Sequence, residues 1–283
     1  MIKRQLNYKD VYNSIVNQMV DYLRGNNIKA LVNGVSGGID SCVTSAIAYE
    51  VKKQMGKDFR LIGLSLPTRT NSFDETSIAD KILRAFYGKD GFVDDIQLTY
   101  ATVRLAIRIH KNVLGEPAST VADGNIKARL RMMYLYDVAS LNGGIVIDNS
   151  NRTETELGFW TLHGDVGDYA PIGDLWKTEA YGLARYIKTL YKDEDKVNAI
   201  NLAISAMPTD GNGVKAGGDM GQIAPGSTYE IVDTILESYL DDPHPDNVSS
   251  LMYLYGEEVV TRVLDRRFKS AYKRLALPIT PKF

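Results

Sequence analysis

The chain has 283 residues, of which 44% are hydrophobic and 24% charged, with a formal net charge of −2; this is the make-up of a folded globular protein long enough for one large α/β domain or two small ones. Without a basic excess there is no electrostatic footprint for nucleic acid, and no apolar run approaches the length of a bilayer span, so neither nucleic acid nor membrane is an expected partner. The first residues lack the uninterrupted apolar core of a signal peptide and the single cysteine, Cys42, cannot form a disulfide within the chain, which together point to a cytoplasmic setting.

In chain order, Val11, Tyr12, Ile15, Met19, Tyr22 and Leu23 recur at three and four residues and predict an amphipathic helix over 8–24. Leu31, Val32 and Val35 read as the end of a buried parallel strand, Ser36, Gly37 and Gly38 as a tight turn, and helical spacing starts at Ile39 and stops near Gly56. A strand feeding a glycine turn and then a helix is a phosphate-binding design, because closely spaced N–H groups and the helix N-terminus both favour an anion. Ser36 and Ser41 add hydroxyl donors, and Asp40 places a carboxylate where a phosphate-bound Mg²⁺ could sit. No Lys follows the glycines, so this is neither a GxxxxGK[ST] loop nor a GxGxxG turn; the bland alternative is a capped strand–helix turn.

A second strand is predicted over Arg60–Leu66, ending at Pro67, and Ser72 with Glu75 forms a capping box that opens a helix running to about Tyr87. Phe92 to Leu98 is a weakly patterned third strand, 100–113 an amphipathic helix, and 121–141 a long helix mixing apolar and polar faces. A short apolar strand, Ile145–Ile147, then ends in the polar run DNSNRTETE. Strands alternating with helices, with polar loops after the strand ends, predict a doubly wound parallel sheet whose ligands sit at the strand C-terminal ends. From Asp174 onward the chain reads as mostly helical. The glycine-rich stretch 208–226 has no apolar periodicity and reads as a lid or a disordered loop. Glu154 reads on its own as a first-turn helix charge stabilised by the dipole, and Lys177 occupies a first helical turn, electrostatically an odd place for a cation. Trp160, Trp176 and Cys42 read as core residues, His163 as a loop residue.

SGGIDS (Ser36–Ser41) resembles the pyrophosphate loop of the ATP pyrophosphatases, enzymes that split ATP into AMP and pyrophosphate. SNRTE at 150–154, Gly158-Phe159, Thr161, Gly164-Asp165 and PIGDLWKT at 171–178 are similar to the NAD synthetase family, as are GNIKARLRM at 124–132, Pro208-Thr209 and Tyr272-Lys273-Arg274. The pieces stand in the family's order over nearly the whole chain. The resemblance implies a Rossmann-like ATP pyrophosphatase fold with a helical C-terminal part, a single domain over 1–283 without a glutaminase domain, and ATP-dependent amidation of deamido-NAD by ammonia through an adenylated intermediate. It implies that Gly34, Val35, Ser36, Gly37, Gly38, Asp40, Ser41, Thr209 and Lys177 contact ATP, with Asp40 and Glu154 as Mg²⁺ carboxylates. It further implies that Asn125, Arg129, Asp165 and Lys273 serve deamido-NAD, and that the protein is a homodimer paired through long helices.

The chain also departs from the family pattern. Tyr272 stands where a His usually precedes the tail Lys. The usual aspartate run becomes Gly164-Asp165-Val166-Gly167-Asp168, leaving Asp165 and Asp168 both as the substrate-side aspartate. Ser65 replaces an Arg after the second strand, for which Arg69 is the substitute. Competing readings are a tRNA-modifying or thiolating ATP pyrophosphatase, which one cysteine and the acidic balance oppose, and a non-catalytic ATP or NAD sensor, which the two carboxylates oppose.

Overall fold

A computed structural model describes residues 4–68, 71–93, 104–105, 107–115, 119–209 and 223–275. Arg69 and most of the glycine-rich stretch 208–226 lie outside the described residues, as do residues 94–103 of the expected third strand and following helix. The first helix, α1 (Tyr8–Gly25), starts at Asn7, whose side chain accepts the Lys9 N–H. Then follow β1 (Ala30–Gly34), α2 (Ile39–Met55), β2 (Arg60–Ser65), α3 (Phe73–Phe86), β3 (Gly91–Val93), α4 (Thr120–Leu141) and β4 (Gly144–Val146). The strands form one parallel sheet in the order β3-β2-β1-β4, with Leu31 opposite both Leu61 and Ile145.

Both faces of β1 are covered, which is why its residues read as a continuous apolar run. Leu31 packs on one side with Met19 and Leu23 of α1, Ile47 of α2 and Ile82 of α3. Val32 packs on the other with Met132, Leu135 and Ala139 of α4. Each such side chain buried contributes about 1.5–3 kcal/mol. Asn33, fully buried within the strand, donates to Tyr87 Oη (2.9 Å), Ser45 Oγ (3.2 Å) and Thr44 Oγ1 (3.3 Å), tying β1 to α2 and to the end of α3.

Beyond the sheet come α5 (Arg152–Leu157), α6 (Lys177–Thr189), α7 (Glu194–Ser205), α8 (Tyr229–Asp241), α9 (Pro245–Tyr255) and α10 (Glu257–Lys269). Helices α6 and α7 complete the layer over α2, whereas α8, α9 and α10 close a separate apolar cluster around Leu157, Trp176, Ile235 and Val263. Two elements differ from the sequence expectation. The fourth strand is Gly144–Val146; Ile147 still donates its N–H to Val32 O (2.8 Å) but bridges Tyr169, as the backbone of residues 168–169 returns against the strand end. Ile107–Leu114, at the C-terminal end of the expected helix 100–113 and one residue past it, is π-helical; apolar spacing of three and four residues does not distinguish that wider turn from an α-helix. Among the described residues no helix is long and apolar enough to cross a membrane.

Candidate functional site

The strand order reverses between β1 and β4, so their C-terminal ends flank a crevice at the switch point of the sheet. The turn after β1 faces this crevice. Gly34 closes the strand with its carbonyl accepting from Asn149 Nδ2 (2.9 Å), and Val35, buried, donates its N–H to Leu64 O (2.8 Å). Ser36 Oγ lies 3.2 Å from Ser41 Oγ and accepts the Gly38 N–H at 3.3 Å, while Ser41 Oγ donates to Gly38 O at 3.1 Å. The two hydroxyls therefore brace the turn from inside. Gly37 has φ +91°, and a Cβ there would lie 2.4 Å from Glu75 O of α3, so only glycine lets the turn nest against that helix. Gly38 caps α2 without a side-chain bond, leaving first-turn N–H groups turned to the crevice. Thr209 hydrogen-bonds the Glu75 carboxylate, which places the start of the glycine-rich stretch beside the same helix end.

Asp40, in the first turn of α2, meets two residues from other elements. Its Oδ2 lies 2.5 Å from Lys177 Nζ, and its Oδ1 accepts from Asn151 Nδ2 at 3.0 Å. Lys177 Nζ also reaches Glu154 Oε1 at 3.1 Å. Glu154 closes a capping box with Asn151, its Oε2 accepting the Asn151 N–H at 3.3 Å. The helix-end reading of Glu154 thus holds together with its charge pairing. Lys177 is only 2% exposed, unlike the ordinary surface Lys its position in a first turn would suggest. Burial opposes its charge, but Asp40 and Glu154 override that and hold the ammonium well above its usual pKa. The Tyr229 ring lies 5.5 Å from the same Nζ.

On the α4 side, Thr161 Oγ1 donates to Asn125 Oδ1 (2.7 Å), Arg129 Nε donates to Leu162 O (3.2 Å), and Thr161 N–H donates to Asp165 Oδ2 (2.6 Å). Lys273 Nζ donates to Gly158 O (2.8 Å) and Trp160 O, and sits 5.4 Å from the Trp160 ring. Asn125, Arg129, Asp165 and Lys273 therefore all meet on the segment 158–165. Asp165 is exposed by area yet ringed by protein, and desolvation raises its pKa while Thr161, Arg131 and Lys273 pull the other way. Asp168 is elsewhere: it accepts the Val146 N–H (2.8 Å) and the Tyr136 hydroxyl (3.1 Å), finishing β4 and pairing with α4. Burial and that carboxylate push the Tyr136 phenol to about 12.

Sequence reading missed several residues that join these groups. Arg131 Nε donates to Leu66 O at 2.9 Å and its Nη2 to Asn71 Oδ1 at 3.1 Å, bridging α4 to the loop after β2; burial lowers its pKa, and Asp165 and Glu75 offset that. Thr153 and Asp233 lock the start of α6. Nothing in their local pattern distinguishes them, since each acts only across a tertiary contact. Tyr272 is half-exposed, with the helical turn Ala271–Arg274 directing Lys273, not Tyr272, at the 158–160 loop.

A family model described as NAD synthase matches residues 11–277. The NH(3)-dependent NAD(+) synthetase of Methanocaldococcus jannaschii is 31% identical over 273 residues, spanning 95% of this chain and 96% of that protein. Among solved structures, the NMN synthetase from Francisella tularensis superposes with a TM-score of 0.77 at 23% identity, covering 99% of this chain and 100% of that one. The NH3-dependent NAD synthetase from Campylobacter jejuni superposes with a TM-score of 0.71 at 20% identity, covering 98% and 100%; both likenesses bear on the fold.

Proposed function

The chain belongs to the NAD synthase family, and on that premise we propose that it is a carbon–nitrogen ligase that amidates deamido-NAD with ammonia, using ATP. One observation carries the assignment of the site: a buried Lys177 held between Asp40 and Glu154 beside the glycine turn, at the C-terminal end of the sheet. Two carboxylate oxygens converging on one cation position are the hard-oxygen pair that Mg²⁺ prefers, and the ammonium now fills that position. Asp40 and Glu154 would hold the metal, and Mg²⁺ when bound supplies charge neutralisation to the triphosphate.

The substrate brings its own nucleophile. A carboxylate oxygen of the nicotinate attacks the α-phosphorus of ATP, the bond to the bridging oxygen breaks, and pyrophosphate leaves. Ser36, Ser41, the N–H groups around Gly37 and Gly38, and the positive end of α2 are placed to take the charge growing on that leaving group. With the two carboxylates engaged elsewhere, the Lys177 ammonium is free for phosphate oxygens, and Thr209 stands at the Glu75 end of α3 beside the glycine turn. Ammonia then attacks the adenylated carbonyl carbon, AMP leaves, and the attacking nitrogen sheds a proton. Asp165, which lies within the 158–165 segment and whose pKa is raised by desolvation, is the candidate to receive that proton beside the nicotinate. Asn125, Arg129 and Lys273 position the dinucleotide around that segment, and Asp168 is assigned to the sheet. Arg69 remains the resemblance's candidate for a further ATP contact.

The protein takes free ammonia, works in the cytoplasm, and pairs as a homodimer through α4 and the stretch 100–113. Purified protein given MgATP, deamido-NAD and ammonium chloride should yield NAD, AMP and pyrophosphate in equal amounts. Release of ADP and phosphate would overturn the reaction, and efficient use of glutamine by the pure chain would overturn the nitrogen source.

A further inference from the structure

We propose that Asp233, on α8, is a positioning residue that fixes Lys177 and Glu154 relative to one another. Its carboxylate is 2% exposed, among the fully buried Val232, Ile235 and Leu236 of the C-terminal cluster, where packing alone would favour an apolar side chain. Oδ1 accepts the Thr153 hydroxyl at 2.6 Å and Oδ2 accepts the Thr178 N–H at 2.9 Å. Thr153 Oγ1 in turn accepts the Lys177 N–H at 2.8 Å. The ring Asp233–Thr153–Lys177–Thr178 therefore spans α8, α5 and α6. Thr153 immediately precedes Glu154, and Thr178 immediately follows Lys177. At the start of α6 the helix's own Glu179 accepts only the Trp176 N–H (2.9 Å) and Trp176 offers no side-chain cap, so the Lys177 and Thr178 N–H groups depend on these two residues from other elements. The 3.1 Å contact between Lys177 Nζ and Glu154 is set by how those two helix starts are held. A negative charge placed between two helix N-termini is also electrostatically favoured there.

The kinetic arm of the test rests on the reaction proposed above; the labelling arm does not. In Asp233→Asn the amide nitrogen cannot accept, so one of the two donors loses its partner while the side-chain shape is kept. If Asp233 positions the site, kcat falls roughly ten- to a hundredfold and the KM values for ATP and deamido-NAD stay within about threefold, with a cooperative melt retained. Lys177, buried and paired in the wild type, becomes labelled by an acylating reagent at least about tenfold faster, while Lys196 on α7 is unchanged. Combining Asp233→Asn with Thr153→Val should cost no more than the worse single change, because both break the same ring. Should Asp233→Asn fail to fold, Thr153→Val against Thr153→Ser decides, since only Ser keeps the hydroxyl and should restore both readouts. Protected Lys177 with normal kcat in Asp233→Asn, or losses that multiply in the double variant, would overturn the proposal. A wild type that makes no NAD but shows the same labelling contrast would instead sink the reaction and leave the positioning role standing.

Discussion

At the scale of single residues, Lys177 has two carboxylate partners, which the proposed reaction would have it leave for phosphate. Replacing it by Met leaves two nearly buried carboxylates without a cation, a change that should destabilise the metal-free protein by roughly 3–5 kcal/mol. The same change opens a cation position, so Mn²⁺ without nucleotide should raise the melting temperature of Lys177→Met and hardly move that of the wild type. Equal shifts in both proteins would show that the carboxylates are not a metal pair. Asp40→Asn and Glu154→Gln should each slow turnover by about two or more orders of magnitude at saturating Mg²⁺, because each removes charge stabilisation that develops in the transition state; near-normal rates would reduce both residues to helix caps. Cys42 gives a contrasting case. It lies one residue past Ser41, yet it is buried and its pKa is raised by desolvation from 9.0 to about 12. The neutral thiol is the folded form, so its contribution to stability is complete below pH 9 and is lost between there and pH 12. Native protein at pH 8 should show no thiol reactive to a disulfide reagent, and one equivalent after denaturation; prompt native reaction would contradict the burial.

At the scale of elements, the turn between β1 and α2 is defined by what it cannot accommodate. Gly37→Ala meets a left-handed φ and a carbonyl 2.4 Å from the new Cβ. The conformation alone costs about 1–3 kcal/mol, and α3 cannot withdraw without disturbing its Ser72–Glu75 capping box. The variant should melt lower and bind ATP more weakly by calorimetry. An unchanged affinity would place the phosphates away from this turn. The sequence made α2 and the start of α3 legible, since glycines, an N-cap and an N3 glutamate act within a few residues of one another. It left α5 and α6 less legible. The box at Asn151 and Glu154 is local, but the start of α6 is satisfied by Thr153 and Asp233, 24 and 55 residues from their bonding partners. No window of sequence contains both ends of such a bond.

At the scale of the molecule, α4 carries more apolar residues than its packing on the sheet uses. Met132, Leu135 and Ala139 are buried on β1, β2 and β4, whereas Val121, Met133 and Leu141 remain exposed. In the homodimer proposed above, a second copy would cover that helix. Sedimentation at micromolar concentration should give a dimer, and a fully active monomer would refute the pairing. Activity with ammonium chloride should rise with pH as ammonium deprotonates. Asp165→Asn should flatten that rise if the carboxylate takes the proton; an unchanged profile would remove Asp165 from proton transfer.

The sequence by itself determined the class of the fold, the position of the phosphate turn and the first helical boundary after it. These follow from short-range chemistry: apolar period, glycine conformation and capping side chains whose partners are neighbours in the chain. It also brought forward Asp40 from its place after the glycine turn, Lys177 as a cation oddly set in a first helical turn, and Glu154 by resemblance alone. Tertiary structure decided that these three meet around one cation position, that Asn125, Arg129 and Lys273 converge on the 158–165 segment while Asp168 finishes β4, and that Asp233 bonds across two helix starts. Asp40 and Lys177 are 137 residues apart, and their pairing depends on the parallel sheet bringing the ends of β1 and β4 side by side. A charge becomes a site only when burial strips its water and a partner replaces it, and neither condition is written in local sequence.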